Sequence, residues 1–112
     1  MTHRERVLTA FSHKEPDKVP LDLASTRDSS IVADGYERLK KHFGVVEENI
    51  IASMMQQSVE VNEKILKELD IDTRPVRAGT ADKGRIIKLA DNRYRDEWGV
   101  TYKKNGWPII AQ

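Results

Sequence analysis

Three observations predict a mixed α/β fold for this sequence. Helical periodicity of apolar residues recurs through the first two-thirds of the chain, short extended runs follow those helices, and the last third consists of β-like runs separated by turn dipeptides. The most informative stretch is Val61–Arg77, V-N-E-K-I-L-K-E-L-D-I-D-T-R-P-V-R, which passes from an amphipathic helix straight into an extended, arginine-bearing segment. In an α/β enzyme such a junction leads from the outer helical layer to the inner sheet. With 112 residues the chain is sized for one domain.

The elements follow in order. Thr2 has the spacing to Glu5 of a capping box, ahead of Val7, Leu8 and Phe11 on one helical face. That helix is expected to stop near His13, because Pro16 disfavours helical geometry at Glu15 and brings no N–H. Lys18–Leu23 alternates Val19, Leu21 and Leu23 and reads as a short strand, with Pro20 placing it at a sheet edge or an irregular start. Ser29 or Ser30 is positioned to cap a second helix carrying Val32, Tyr36, Leu39 and Phe43, which Gly44 would terminate. Between Val45 and Gln57 the pairs Ile50 with Ile51 and Met54 with Met55 suit a helix or a partly irregular segment. From Val59 onward Val61, Ile65, Leu66 and Leu69 predict a third helix, with Glu63 and Lys67 as a favourable i,i+4 pair, and a strand over Ile71–Val76.

Beyond Gly79 the runs G-R-I-I-K-L-A, Y-R-D-E-W-G-V-T-Y-K-K and W-P-I-I-A are separated by Asp91-Asn92 and Asn105-Gly106. An Asn-Gly pair between apolar runs favours a type I′ hairpin, so an antiparallel meander is expected there. The predicted organisation is a single partial domain over 1–112, with helices and strands in 1–78 and a β-meander insertion in 79–112. The final W-P-I-I-A-Q carries no stop signal, and an exposed apolar edge is a liability that complete domains cover. The expectation is that the chain is a piece of something longer.

Composition excludes several function classes. Nineteen Lys and Arg against eighteen Asp and Glu give a net charge of +1, without the basic excess that a nucleic-acid or anionic-membrane surface requires. With no cysteine there is no disulfide framework, thiol nucleophile or zinc-thiolate site. The opening M-T-H-R-E-R lacks the apolar run of a secretory signal, and a cytoplasmic location is expected.

Three blocks carry a family resemblance: T-H-R-E-R-V-L-T-A-F-S-H-K-E-P-D-K-V-P-L-D-L, then E-K-I-L-K-E-L-D-I-D-T-R-P-V, then Y-R-D-E-W-G-V-T-Y-K-K. In that order they resemble the N-terminal portion of the uroporphyrinogen decarboxylase family. They are most similar to its branch of corrinoid-dependent methyltransferases, including the methylcobalamin:coenzyme M type. The resemblance implies a (β/α)8 TIM barrel of which these residues form the first elements, because members are roughly three times this long. Two departures stand against decarboxylation itself. The decarboxylases carry Met-Arg-Gln-Ala-Gly-Arg-Tyr where this chain has Leu23-Ala24-Ser25-Thr26-Arg27-Asp28-Ser29, so only Arg27 corresponds. Their Phe-Ser-Asp context is replaced by Ile71-Asp72-Thr73-Arg74. In the methyltransferase branch, a zinc held by His and Cys from later strands activates the acceptor thiol. The resemblance thus implies zinc and a corrinoid protein for a full-length enzyme, and no cofactor bound by this chain.

The implied substrate-binding residues are Arg27 and, less directly, Arg74. The guanidinium of Arg27, at the mouth of the first predicted strand, suits a carboxylate, phosphate or sulfonate; the bland alternative is an ion pair with Asp28. Arg74 and Arg77 share a face of an extended segment only if Pro75 relieves their spacing of three, so a surface or helix-contact role for one of them competes. Asp70 and Asp72 have strand spacing for a carboxylate pair, although Asp70 fits the helix-to-strand turn. Asp96 and Glu97 would face apart. His3, His13 and His42 lack ligand spacing and read as surface residues. Trp98 and Trp107 suit cross-strand packing, and Met54 and Met55 suit the core. Lys83–Lys88 reads as an exposed strand, since Gly79 and Gly84 lack phosphate-loop spacing.

Two functions follow from different classes. One is a segment of a methyltransferase that moves a methyl group from a corrinoid protein to a thiol or related small-molecule acceptor, with uroporphyrinogen decarboxylase proper as its variant. The other is a non-catalytic interaction module using its exposed strand edge and Trp-bearing hairpins.

Overall fold

In the computed structural model, residues 1–79, 86–104 and the backbone of 110–111 are described. Helix α1 covers His3–Phe11, α2 Ala33–Phe43 and α3 Glu63–Glu68. Strands β1 (Ile51–Ser53) and β2 (Ser58–Val59) form one antiparallel pair, and β3 (Ile87–Lys88), β4 (Arg93–Arg95), β5 (Thr101–Lys103) and β6 (Ile110–Ala111) form an antiparallel sheet in sequence order.

This architecture overturns the expected barrel fragment. A TIM barrel is built of parallel strands, each followed by a helix. Every pairing between strands among the described residues is antiparallel. The two segments expected to be the first barrel strands form no ladder. Leu21 and Asp72 do meet, the Asp72 N–H donating to the Leu21 carbonyl at 2.9 Å. The Leu21 N–H goes instead to the Asp72 carboxylate at 2.8 Å. With the carboxylate in place of the backbone carbonyl as acceptor, the contact between the two segments is not extended into a strand pairing.

Local signals are realised at the helix ends. Thr2 caps α1 in a full capping box with Glu5, and Gly44, at φ 63°, closes α2. Neither predicted cap of α2 is used: Val32 occupies the N-cap without a side-chain bond, Ser30 donates to the Val59 carbonyl and Ser29 bonds within its own turn. The segment around Met54 and Met55 is the turn of the β1–β2 hairpin, with Gln57 at φ 53°, and not a helix. That hairpin takes Ser58 and Val59, so α3 starts only after Asn62, whose side chain accepts the Lys64 N–H. The Glu63 carboxylate reaches Arg74 across the fold.

The core is small. Tyr36 of α2, Val59 of β2 and Ile65 of α3 are fully buried together, with Ile31, Leu39, Phe43, Val45, Ile51 and Val61 packed around them. The Tyr36 hydroxyl donates to Glu47 at 3.0 Å and accepts the Asn62 N–H at 2.9 Å, so the buried phenol fixes the start of α3. Helix α1 is turned the other way from its sequence expectation. Its buried residue is Arg6, whereas Leu8 is 43% and Phe11 77% exposed.

The meander is realised as predicted. Asp91 and Asn92 take φ 58° and 57°, the positive pair that a type I′ turn requires, between β3 and β4. Trp98 does not pack across strands. Asp96 accepts the N–H groups of both Trp98 and Val100 at 2.9 Å, and this side-chain-stabilised turn leaves the indole 82% exposed. The Asn105-Gly106 hairpin, Trp107 and residues 83–85 of the expected Lys83–Lys88 strand lie outside the described residues, and Ile87–Lys88 is the exposed strand β3.

Candidate functional site

The densest polar constellation lies where α1 meets the extended segments 17–24 and 70–77. It is built around the Arg6 guanidinium. Nε and Nη2 hold the two oxygens of Asp17 at 2.7 and 3.0 Å, a bidentate fork, while Nη1 bonds Asp72. Asp72, with a side chain fully shielded from solvent, also accepts from the Leu21 amide and lies 2.7 Å from Nδ1 of His3. The other ring nitrogen of His3 is 3.5 Å from Asp70, which pairs with Lys18.

Charge pairing sets the ionisation of these groups. Burial pushes the Asp72 carboxyl up, but the Leu21 amide, His3 and Arg6 together outweigh it and leave the group at about 2. The Arg6 hydrogen bonds hold Asp17 well below the usual carboxylate range, and Asp17 in turn raises Arg6. Lys18, by hydrogen bond and charge, lowers Asp70. All three carboxylates are therefore ionised at neutral pH, so the Asp70 and Asp72 pair cannot share a proton as an acid/base couple. Its chemistry is that of a fixed ionic joint.

Arg27 lies a short distance along the chain, on the turn 24–30. Ala24 is buried at φ 63°, its N–H bonds the Ser29 carbonyl, and Ser29 and Thr26 exchange hydroxyl and amide bonds. Behind this turn Asp22 is raised by burial but lowered overall by the hydroxyls of Ser25, Thr73 and Ser29. Arg27 itself is exposed, and none of the ion pairs among the described residues includes it. The competing Arg27–Asp28 pair is not among the ion pairs of the described residues, and Asp28 instead accepts from Gln56.

Arg74 is occupied. Nε and Nη2 grip Glu63 at 3.0 to 3.2 Å, and Nη1 donates to the carbonyls of Ile71 and Thr73 at 2.7 Å. It ties α3 to the following segment and has little donor capacity left for a ligand. Arg77 pairs with Glu60 at 3.2 Å and reaches the Ala24 carbonyl at 3.5 Å, so it braces the turn that presents Arg27.

Compared with known proteins, the chain matches no family model, no curated protein and no solved structure.

The remaining candidates are dispersed. His13 and His42 are exposed, His42 lying edge-on to Phe43. Among the described residues no group of three His, Cys, Asp or Glu could hold a metal ion. With no cysteine either, these residues do not fit a zinc-thiolate centre. No helix among them is long and apolar enough to cross a membrane. The central role of Arg6 was missed at the sequence level. Its only local signal was position: it stands at i+3 from His3 and i+4 from Thr2, on the side of α1 away from Phe11.

Proposed function

We propose that the chain is a segment of a cytoplasmic, corrinoid-linked methyltransferase related to the uroporphyrinogen decarboxylases, and that it offers Arg27 to the anionic end of a small-molecule acceptor. The observation that carries this reading is the state of Arg27. An exposed guanidinium, without a carboxylate partner among the described residues, stands on a braced turn at the one position that corresponds to an arginine of the family motif. Guanidinium forks bind sulfonates and carboxylates bidentately, which suits an acceptor such as a thiol bearing a sulfonate.

A second feature supports the same reading. Arg6 and Asp17 belong to the first block of resemblance and Asp72 to the second, so the residues that carry the likeness also hold one another in space. Arg74, the other implied binder, acts in this proposal as a brace for α3. The methyl transfer and any zinc activation belong to groups outside these residues, and a corrinoid protein is the donor.

The test reads the gene past codon 112 and assays its full product for demethylation of methylcobalamin with 2-mercaptoethanesulfonate as acceptor. Arg27→Ala is expected to raise KM for the acceptor about tenfold, the loss of one charge-assisted bidentate contact, with kcat little changed. A product that leaves methylcobalamin intact removes the proposal. Release of carbon dioxide from uroporphyrinogen would replace it with the decarboxylase variant.

A further inference from the structure

Arg27 has a carboxylate beside it in the chain, yet that carboxylate is engaged elsewhere. Gln56, in the turn of the β1–β2 hairpin, donates from Nε2 to Oδ1 of Asp28 at 2.5 Å. Gln56 is itself held within its turn. Its N–H is accepted by the Ser53 hydroxyl at 3.3 Å, and Nε2 of Gln57 closes the same turn on the Met54 carbonyl at 2.9 Å. Two backbone bonds seat the hairpin on the segment that follows the Arg27 turn: the Ala33 N–H donates to the Gln57 carbonyl at 2.9 Å, and the Val59 N–H to the Ile31 carbonyl at 3.1 Å. Asp28 therefore meets a donor whose place is set by the hairpin and its seat.

The contact has a cost. Oε1 of Gln56 is buried and has no hydrogen-bond partner among the described residues. An amide oxygen in that state loses its hydration without replacing it, whereas a methionine of similar length would fill the space with no such oxygen. Stability alone does not account for a glutamine here, so its explanation lies at the other end of the amide, where Nε2 holds Asp28.

We infer that Gln56 is a positioning residue: it keeps Asp28 off Arg27, so that the guanidinium stays free for an anion. The inference rests on the reading of Arg27 as the anchor of the acceptor, and adds how that anchor is protected from a competitor within its own turn. An unrestrained Asp28, next in sequence to an exposed Arg27, competes for the same fork as any carboxylate or sulfonate ligand. Because an exposed ion pair shifts an equilibrium only a few-fold, the competition is modest, and neutralising Asp28 abolishes it.

NMR of isotope-labelled arginine side chains in the 112-residue chain reads the first step without an activity assay. The Arg27 Nε–H is expected to exchange with water as a free guanidinium does in wild type, about threefold more slowly in Gln56→Met, and again at the wild-type rate when Asp28→Asn is added. Urea unfolding of Gln56→Met should show no loss of stability, which a merely structural glutamine would not allow. In the full product, with 2-mercaptoethanesulfonate as acceptor, Gln56→Met should raise KM about threefold with kcat unchanged, and adding Asp28→Asn should restore it. An Arg27 already protected in wild type, no slowing in Gln56→Met, a slowing or a KM rise that Asp28→Asn does not reverse, or a destabilised Gln56→Met would each overturn the inference. If the NMR results hold but the full product is inactive, or its KM ignores Arg27→Ala, it is the acceptor reading that fails and the positioning of Asp28 stands.

Discussion

Replacing Asp72 by Asn should remove most of what its charge contributes to the fold while keeping its shape. The carboxylate accepts the Leu21 amide at 2.8 Å, lies 2.7 Å from His3 and pairs with Arg6, and its side chain is shielded from water. Those partners lower its folded pKa from the ordinary 3.8 to about 2. A depressed carboxylate pKa stabilises the fold above the unfolded value, and this stability is lost as pH falls through the folded value. At 1.36 kcal/mol per unit the contribution is about 2 kcal/mol at pH 7, about half of that at pH 3, and small by pH 2. For a chain of this length the pH 7 figure corresponds to a Tm lower by about 10 °C. Thermal melts of both chains by far-UV circular dichroism, at pH 7 and pH 3, measure it. The gap between wild type and D72N should roughly halve on acidification. A gap under about 3 °C at pH 7, or one that does not change with pH, would refute the assignment of Asp72 as the ionised centre of the joint.

Three further outcomes follow from the same geometry. Tyr36→Phe leaves the Asn62 N–H and Glu47 without their shared hydroxyl and should cost about 1–3 kcal/mol in urea unfolding, with the loss of amide protection concentrated at the start of α3. Gly44→Ala forces an L side chain into the left-handed region at φ 63° and should cost about 1–2 kcal/mol in the same measurement, all of it backbone strain, because nothing lies within 4 Å of the added methyl. Arg27→Ala should leave the unfolding free energy in urea within about 0.5 kcal/mol of wild type, since the residue belongs to none of the ion pairs among the described residues. A larger loss would mean that Arg27 holds the fold and is not free for an acceptor.

Much of the local structure was legible because its determinants lie within a few residues. The Thr2–Glu5 box, the Gly44 stop and the Asp91-Asn92 turn each depend on hydrogen-bond or dihedral preferences that act over three or four positions. The hairpin of Ile51–Val59 was not legible. Its pairing partner contributes only two residues, Ser58 and Val59, whose local pattern also fits the start of α3, and the decision came from packing of Val59 against Tyr36 and Ile65. The expected strands at 18–23 and 71–76 failed for a related reason: alternation signals an extended segment, but a ladder also needs a backbone acceptor, and the Leu21 N–H is taken by the Asp72 side chain instead.

The candidate site divides the same way. Arg27 was singled out by its place in a motif, whereas its exposed state, outside the ion pairs of the described residues, depends on which neighbours engage Asp28 and brace the turn. Arg74 was singled out on the same grounds, and Glu63 captured it.

The sequence by itself determined where α1 begins, where α2 ends, that Asp91-Asn92 turns, and that the composition is charge-balanced, because these properties are set by neighbouring residues and by composition. Only the tertiary structure decided which side of α1 faces inward. Arg6 and Asp72 are 66 positions apart, and their ionic contact lies on the inward side of α1 while Leu8 and Phe11, which the periodicity alone would bury, are exposed.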